Sequence, residues 1–125
     1  MLRIFLGIVV GLIAWVAIGT CGLFLLRVSW PDYALVERAM AFTLPMQLGR
    51  LIVGAASSVA GGWVAVGVAG GIGSAAWWLG ALLVVVFIPI HYSLWNSFPI
   101  WYHFTFLLTL APIVGFSGRL AAVRP

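Results

Sequence analysis

The only imidazoles in this sequence, His91 and His103, lie in one stretch, HYSLWNSFPIWYH over residues 91–103, each six residues from Ser97. If the chain turns back near Ser97, the two histidines stand level on neighbouring helices. Two neutral imidazoles can ligate haem b axially. Alternatively one histidine, a tyrosine and an aromatic wall can hold a quinone, with His91, His103, Tyr92, Tyr102 and Trp101 as the cofactor-binding candidates. Geometry speaks against haem, because its ligands must stand apart across the iron while adjacent helices pack only about 8–10 Å apart. A metal site lacks partners, since no Cys, Asp or Glu lies nearby to complete a coordination sphere. The plainer expectation is that both rings hydrogen-bond with Tyr92, Asn96, Ser97 or Thr105 and satisfy an interfacial hairpin.

No catalytic constellation accompanies the histidines. Asp32 and Glu37 are the only carboxylate side chains, and there is no HExxH, nucleophile elbow or phosphate loop. An enzyme is therefore not the expectation.

Composition says where such a stretch must sit. The 125-residue chain is 65% hydrophobic and 6% charged, with a mean hydropathy of +1.23. A soluble domain carries about a quarter charged residues, so lipid has to solvate this one. All six basic residues are arginines, Arg3, Arg27, Arg38, Arg50, Arg119 and Arg124, near the ends of apolar runs. That is the placement of topology and headgroup contacts, not the clustered basic face of a nucleic-acid binder. The lone Cys21 has no partner for an internal disulfide.

The order of the runs predicts an all-α integral membrane protein, a small bundle of four transmembrane helices with a short interfacial helix between spans 1 and 2. An uncharged run over 4–26 is long enough to cross a ~30 Å hydrocarbon core and reads as an uncleaved first span. Ser29, Pro31 and Asp32 resemble a helix start with a capping serine, opening an extramembrane helix over 31–43 whose apolar residues form no single stripe. Residues 51–118 contain no charged side chain, room for three spans, placed at about 50–69, 75–95 and 99–116. Glycines at 70, 71 and 73 mark one turn and the 92–99 stretch the other; Pro112 should kink the last span. An even number of spans places both termini on one side; each side carries three arginines, and the free amine on the terminal side tips that side toward the cytoplasm of a bacterial inner membrane. Trp30, Trp95 and Trp101 belong to one interfacial belt, Trp63, Trp77 and Trp78 to the other, and Trp15 packs mid-span.

Small residues provide the packing signal. Gly54, Ser58, Gly61, Gly62 and Ala65 share one face of the second span, and Gly7 and Gly11 repeat the device in the first. Such faces serve either packing within the four helices or docking on another chain. Arg50 opens a span, from which its side chain can snorkel to headgroups. The leading expectation is thus a non-enzymatic structural or accessory subunit that packs on another membrane protein or on copies of itself. Redox-site binding of quinone or haem b is the first alternative, and a small proton-coupled transporter the second. Small multidrug transporters share the four-span size, but their glutamate in the first span has no counterpart here, which leaves His103 to carry protons.

Overall fold

The structure is a computed structural model that describes residues 1–123; Arg124 lies outside the described residues. Helix α1 runs Leu2–Ser29, α2 Pro31–Val36, α3 Leu44–Val68, α4 Ser74–Ser93 and α5 Ile100–Val123. Four of these, all but α2, are long and apolar enough to cross a membrane. The 28 residues of α1 extend about 42 Å at 1.5 Å per residue, so it outruns the hydrocarbon core at its ends.

Helix boundaries depart from the hydropathy-based spans for local reasons. α3 starts at Leu44, with Pro45 in its first turn, where a missing N–H costs nothing. α5 continues past Pro112 to Val123 instead of stopping near 116. α2 stops at Val36 rather than extending to Thr43: residues 37–40 form a turn, and Met40 adopts φ +55°. The expected serine cap is also absent. Trp30 holds the N-cap position of α2, while the Ser29 hydroxyl donates to the Leu25 carbonyl within α1. Between α3 and α4 the chain reverses through Gly70 at φ +74° and Gly71 at φ +89°, a backbone region that favours glycine. The Gly71 N–H closes that turn on the Val66 carbonyl at 2.9 Å.

Among the four long helices, α1 packs most extensively on α3, α3 on α5 and α5 on α4, with smaller α3–α4 and α1–α4 contacts; α1 and α5 make no substantial contact. Small residues set the close approaches. A Cβ on Gly7 would lie 2.4 Å from the Ala65 carbonyl oxygen, and one on Gly11 2.9 Å from that of Gly61. On the other flank of α3, a Cβ on Gly62 would lie 2.2 Å from the Val114 carbonyl oxygen of α5. Ser58 accepts a hydrogen bond from Trp15 Nε1 at 3.1 Å and donates to the Gly54 carbonyl. Gly54 itself leaves space for the Phe106 ring. Without a hydrophobic drive between helices in lipid, such contacts and hydrogen bonds hold the spans together.

The buried apolar cluster includes Ala65, Val66, Ala69, Ala75, Ala76, Leu79, Leu83, Leu110 and Val114. It fills the half of the bundle nearest the glycine turn and the chain termini. The opposite half is filled differently, by aromatic rings and polar groups.

The α3–α5 contact offers a direct check. Gly62→Ala pushes a methyl into backbone that cannot yield locally, so it should destabilise the bundle by about 1–3 kcal/mol. Gly67 has open space around its would-be Cβ, so Gly67→Ala should be neutral or stabilising by up to about 1 kcal/mol. Unfolding by SDS in mixed micelles, followed by circular dichroism, measures both; equal midpoints for Gly62→Ala and wild type would contradict the contact.

Candidate functional site

Residues from four segments meet at the half of the bundle away from the termini. Pro31 starts α2 immediately beyond α1, which turns Tyr33 inward until it is completely buried. The left-handed turn at Met40 then brings Phe42 back over Tyr33, with ring centroids 5.2 Å apart. Phe42 stacks on Phe98 at 5.7 Å, and Phe98 on Tyr102 at 4.3 Å. Four rings from α2, its following loop, the α4–α5 connection and α5 thus form one continuous arc.

Arg50 occupies the inside of this arc. It is the seventh residue of α3, so about 9 Å of helix separates it from the start of that span. Its Nη1 donates to the Tyr33 hydroxyl at 2.8 Å and its Nε to the Tyr102 hydroxyl at 3.3 Å. Its guanidinium carbon lies 4.8 Å from the Phe42 ring centroid and 5.6 Å from that of Phe98, within cation–π range. The side chain expected to reach headgroups is met at that end of the bundle by two phenols and two aromatic faces of the protein itself. No carboxylate comes with it. The sole ion pair among the described residues joins Arg27 and Glu37 at 2.6 Å, between the end of α1 and the turn after α2.

The histidines adjoin the arc. His91, near the end of α4, and His103, in the first turn of α5, are 6% and 0% exposed. They do not turn to Tyr92, Asn96, Ser97 or Thr105, as the sequence suggested, but bond to each other, Nδ1 to Nδ1 at 2.8 Å. The network assigns their tautomers. His103 Nε2 lies 3.2 Å from the Trp95 carbonyl, which only accepts, so Nε2 carries the proton. Neutral His103 then accepts at Nδ1, and His91 donates from its own Nδ1. Both rings stack on an aromatic neighbour. His91 stacks on Phe106 with centroids 4.7 Å apart, and His103 on Trp95 at 4.8 Å.

That arrangement leaves no gap for iron between the rings. Metal–imidazole bonds of about 2.0–2.1 Å place opposed ligand nitrogens roughly 4 Å apart, whereas these nitrogens are at hydrogen-bond distance. No group of three or more metal-ligating side chains occurs among the described residues. Of the five cofactor candidates from the sequence, His91, His103 and Tyr102 come together. Tyr92, 83% exposed, and Trp101, 40% exposed, point outward.

A cavity of about 210 Å³ lies beside the cluster. Arg50 and Tyr102 supply its polar end, with Ser57 and Thr20 on the wall; Trp15, Val16, Leu23, Val53, Phe87 and Phe106 make the rest apolar. Its lining comes from α1, α3, α4 and α5, of which α1 and α5 make no substantial contact with each other. Val16 is 51% exposed, so the cavity opens sideways into the lipid zone and not only along the bundle axis. Sequence reasoning missed Tyr33, Phe42 and Phe98 as site residues. The one available signal was that Tyr33 and Phe42 fall on opposite sides of a helical wheel, which a chain reversal between them reconciles.

By fold and composition the chain is a multi-pass membrane protein of four spans. Comparison with protein families, curated proteins and solved structures finds no match to it. Function must therefore be argued from the geometry of this cluster.

The histidine pair generates a sharp expectation. Replacing one partner leaves a buried nitrogen unsatisfied, whereas replacing both removes the demand. His91→Leu and His103→Leu should each destabilise by about 1–3 kcal/mol, and the double variant should cost less than their sum. Thermal unfolding in detergent, read by circular dichroism, closes this double-mutant cycle; strict additivity would show the bond to be energetically silent.

Proposed function

We propose that this chain is a non-enzymatic membrane protein that binds a lipid-soluble molecule from the bilayer. The ligand's hydrogen-bond-accepting head meets Arg50 and Tyr102, and its apolar body lies along the cavity walls. One observation carries the reading: a guanidinium without a carboxylate partner lines a cavity that is otherwise mainly apolar and opens toward lipid. A charge inside a membrane protein is costly, and such residues mark sites of substrate or ligand contact. Small-molecule sites share this plan, an apolar enclosure with a few convergent polar groups.

Docking on another membrane protein had its motive in the small-residue faces. Gly7, Gly11, Gly61, Gly62 and Ala65 already lie against neighbouring spans of this chain. A partner using them would have to part α1 from α3 or α3 from α5. Proton-coupled transport would need a titrating path from side to side, and no carboxylate accompanies the histidines.

The test uses hexadecyl probes bearing a chain diazirine, added to the full-length protein in phosphatidylcholine nanodiscs. Saturable photolabelling at the cavity residues Trp15, Phe87 or Phe106 is expected, with loss of labelling in Thr20→Trp, which fills the cavity. Labelling that does not saturate, and that falls equally on outward residues such as Phe5 and Leu108, would reduce the cavity to ordinary lipid contact.

A further inference from the structure

Resting on that reading, we infer the class of the ligand: a single-chain amphiphile with an oxyanion head, a carboxylate or a phosphate monoester, gripped by the unengaged donors of the Arg50 guanidinium and by the Tyr102 hydroxyl.

The hydrogen-bond inventory points to an anion. A guanidinium has five N–H donors and no acceptor, and it stays protonated under all ordinary conditions. Two of the five are engaged, one with each tyrosine, which leaves three for a ligand. Tyr102 accepts from Arg50 through its oxygen, so its own O–H proton is free to donate. Arg50 and Tyr102 thus make the polar end of the cavity a cluster of donors around a positive charge. A carboxylate or phosphate is an acceptor with the opposite charge, and charge-assisted N–H···O bonds to it are stronger than bonds to a neutral acceptor.

A neutral acceptor satisfies less. A quinone carbonyl or an alcohol would take one or two of those donors and leave the charge uncompensated. The protein itself supplies no relief: Asp32 and Glu37 are its only acidic side chains, Glu37 is paired with Arg27, and Asp32 is exposed. Phenol oxygens and aromatic faces soften the desolvation of the guanidinium without cancelling its charge.

Size and shape specify the rest. At about 30 Å³ per water, a cavity of about 210 Å³ holds roughly seven waters' volume. That suits a small head and a few methylenes, with the remaining chain leaving through the lateral opening. Two acyl chains do not fit inside. An inorganic anion from water would leave the apolar walls unused.

The experiment measures head-group preference on the unaltered chain, in phosphatidylcholine nanodiscs, by competition against a diazirine-bearing palmitate. Palmitate and hexadecyl phosphate should displace the probe. Hexadecanol and a decyl-substituted benzoquinone should be weaker by about 10- to 100-fold, the usual worth of hydrogen bonds to a charged group. Inorganic phosphate should not compete. Arg50→Gln should weaken palmitate by a similar factor while leaving hexadecanol nearly unchanged, and Arg50→Lys should recover only part of the loss.

Equal competition by hexadecanol, the quinone and palmitate would overturn the oxyanion head while leaving a lipid-phase cavity in place. Competition by inorganic phosphate as strong as by hexadecyl phosphate would overturn the amphiphile. Absence of saturable labelling by any probe would remove both the ligand class and the cavity's role. Because the head-group series needs no variant, it decides the matter even if Arg50→Gln fails to fold.

Discussion

A guanidinium held about two turns inside a span, with no acid to neutralise it, is the constraint around which one half of this protein is built. The charge cannot be discharged by losing a proton, and lipid cannot solvate it. The structure answers with the softest anion substitutes available, phenol oxygens and aromatic faces. Tyr33 must therefore be delivered from outside the membrane, which is what the short α2 does. Phe42 must return over it, which requires the reversal at Met40. The left-handed conformation costs a non-glycine residue about 1–2 kcal/mol. Stacking of Phe42 between Tyr33 and Phe98, together with its contact to Arg50, offsets that cost locally. The segment between the first two spans is thus a lid of aromatic ligands for one arginine.

The other half obeys a different economy. There the spans approach until glycine Cα atoms meet carbonyls, and alanine, valine and leucine fill what remains. Such backbone-to-backbone contact needs no polar side chains and tolerates no added methyl. The two halves are joined by residues that belong to both. Ser58 ties Trp15 to α3, Gly54 leaves room for Phe106, and Phe106 stacks on His91. A change at the cavity therefore reaches the helix packing through Phe106, and the α4–α5 hairpin through the adjacent Tyr102 and His103.

Four membrane helices were legible in the sequence because hydropathy is a one-dimensional property, summed along the chain without knowledge of neighbours. The level placement of His91 and His103 was legible for the same reason, since six residues on each side of a turn is a matter of counting. Their partners were not. Which nitrogen donates depends on the Trp95 carbonyl, and the position of that group follows from the turn itself. The partners of Arg50 were not legible, because its helix position alone does not say what its side chain meets. Those partners include Tyr33, Phe42 and Phe98, which are 17, 8 and 48 residues away in sequence. The end of α2 was misplaced because Met40 reverses the chain to meet a tertiary demand that local propensity does not register.

The use of arginine, and not lysine, at position 50 follows from this geometry. Two phenols meet the guanidinium at different nitrogens, one at Nε and one at Nη1, and its carbon lies over two aromatic rings. A planar, delocalised cation can meet all four at once and still keep donors to spare. An ammonium has three donors clustered at one point and stays strongly hydrated. It could reach one tyrosine, but it would forfeit the second and carry water into the arc. Arg50, with donors left over, lines the cavity. The lid that makes the charge tolerable thereby leaves those donors unspent.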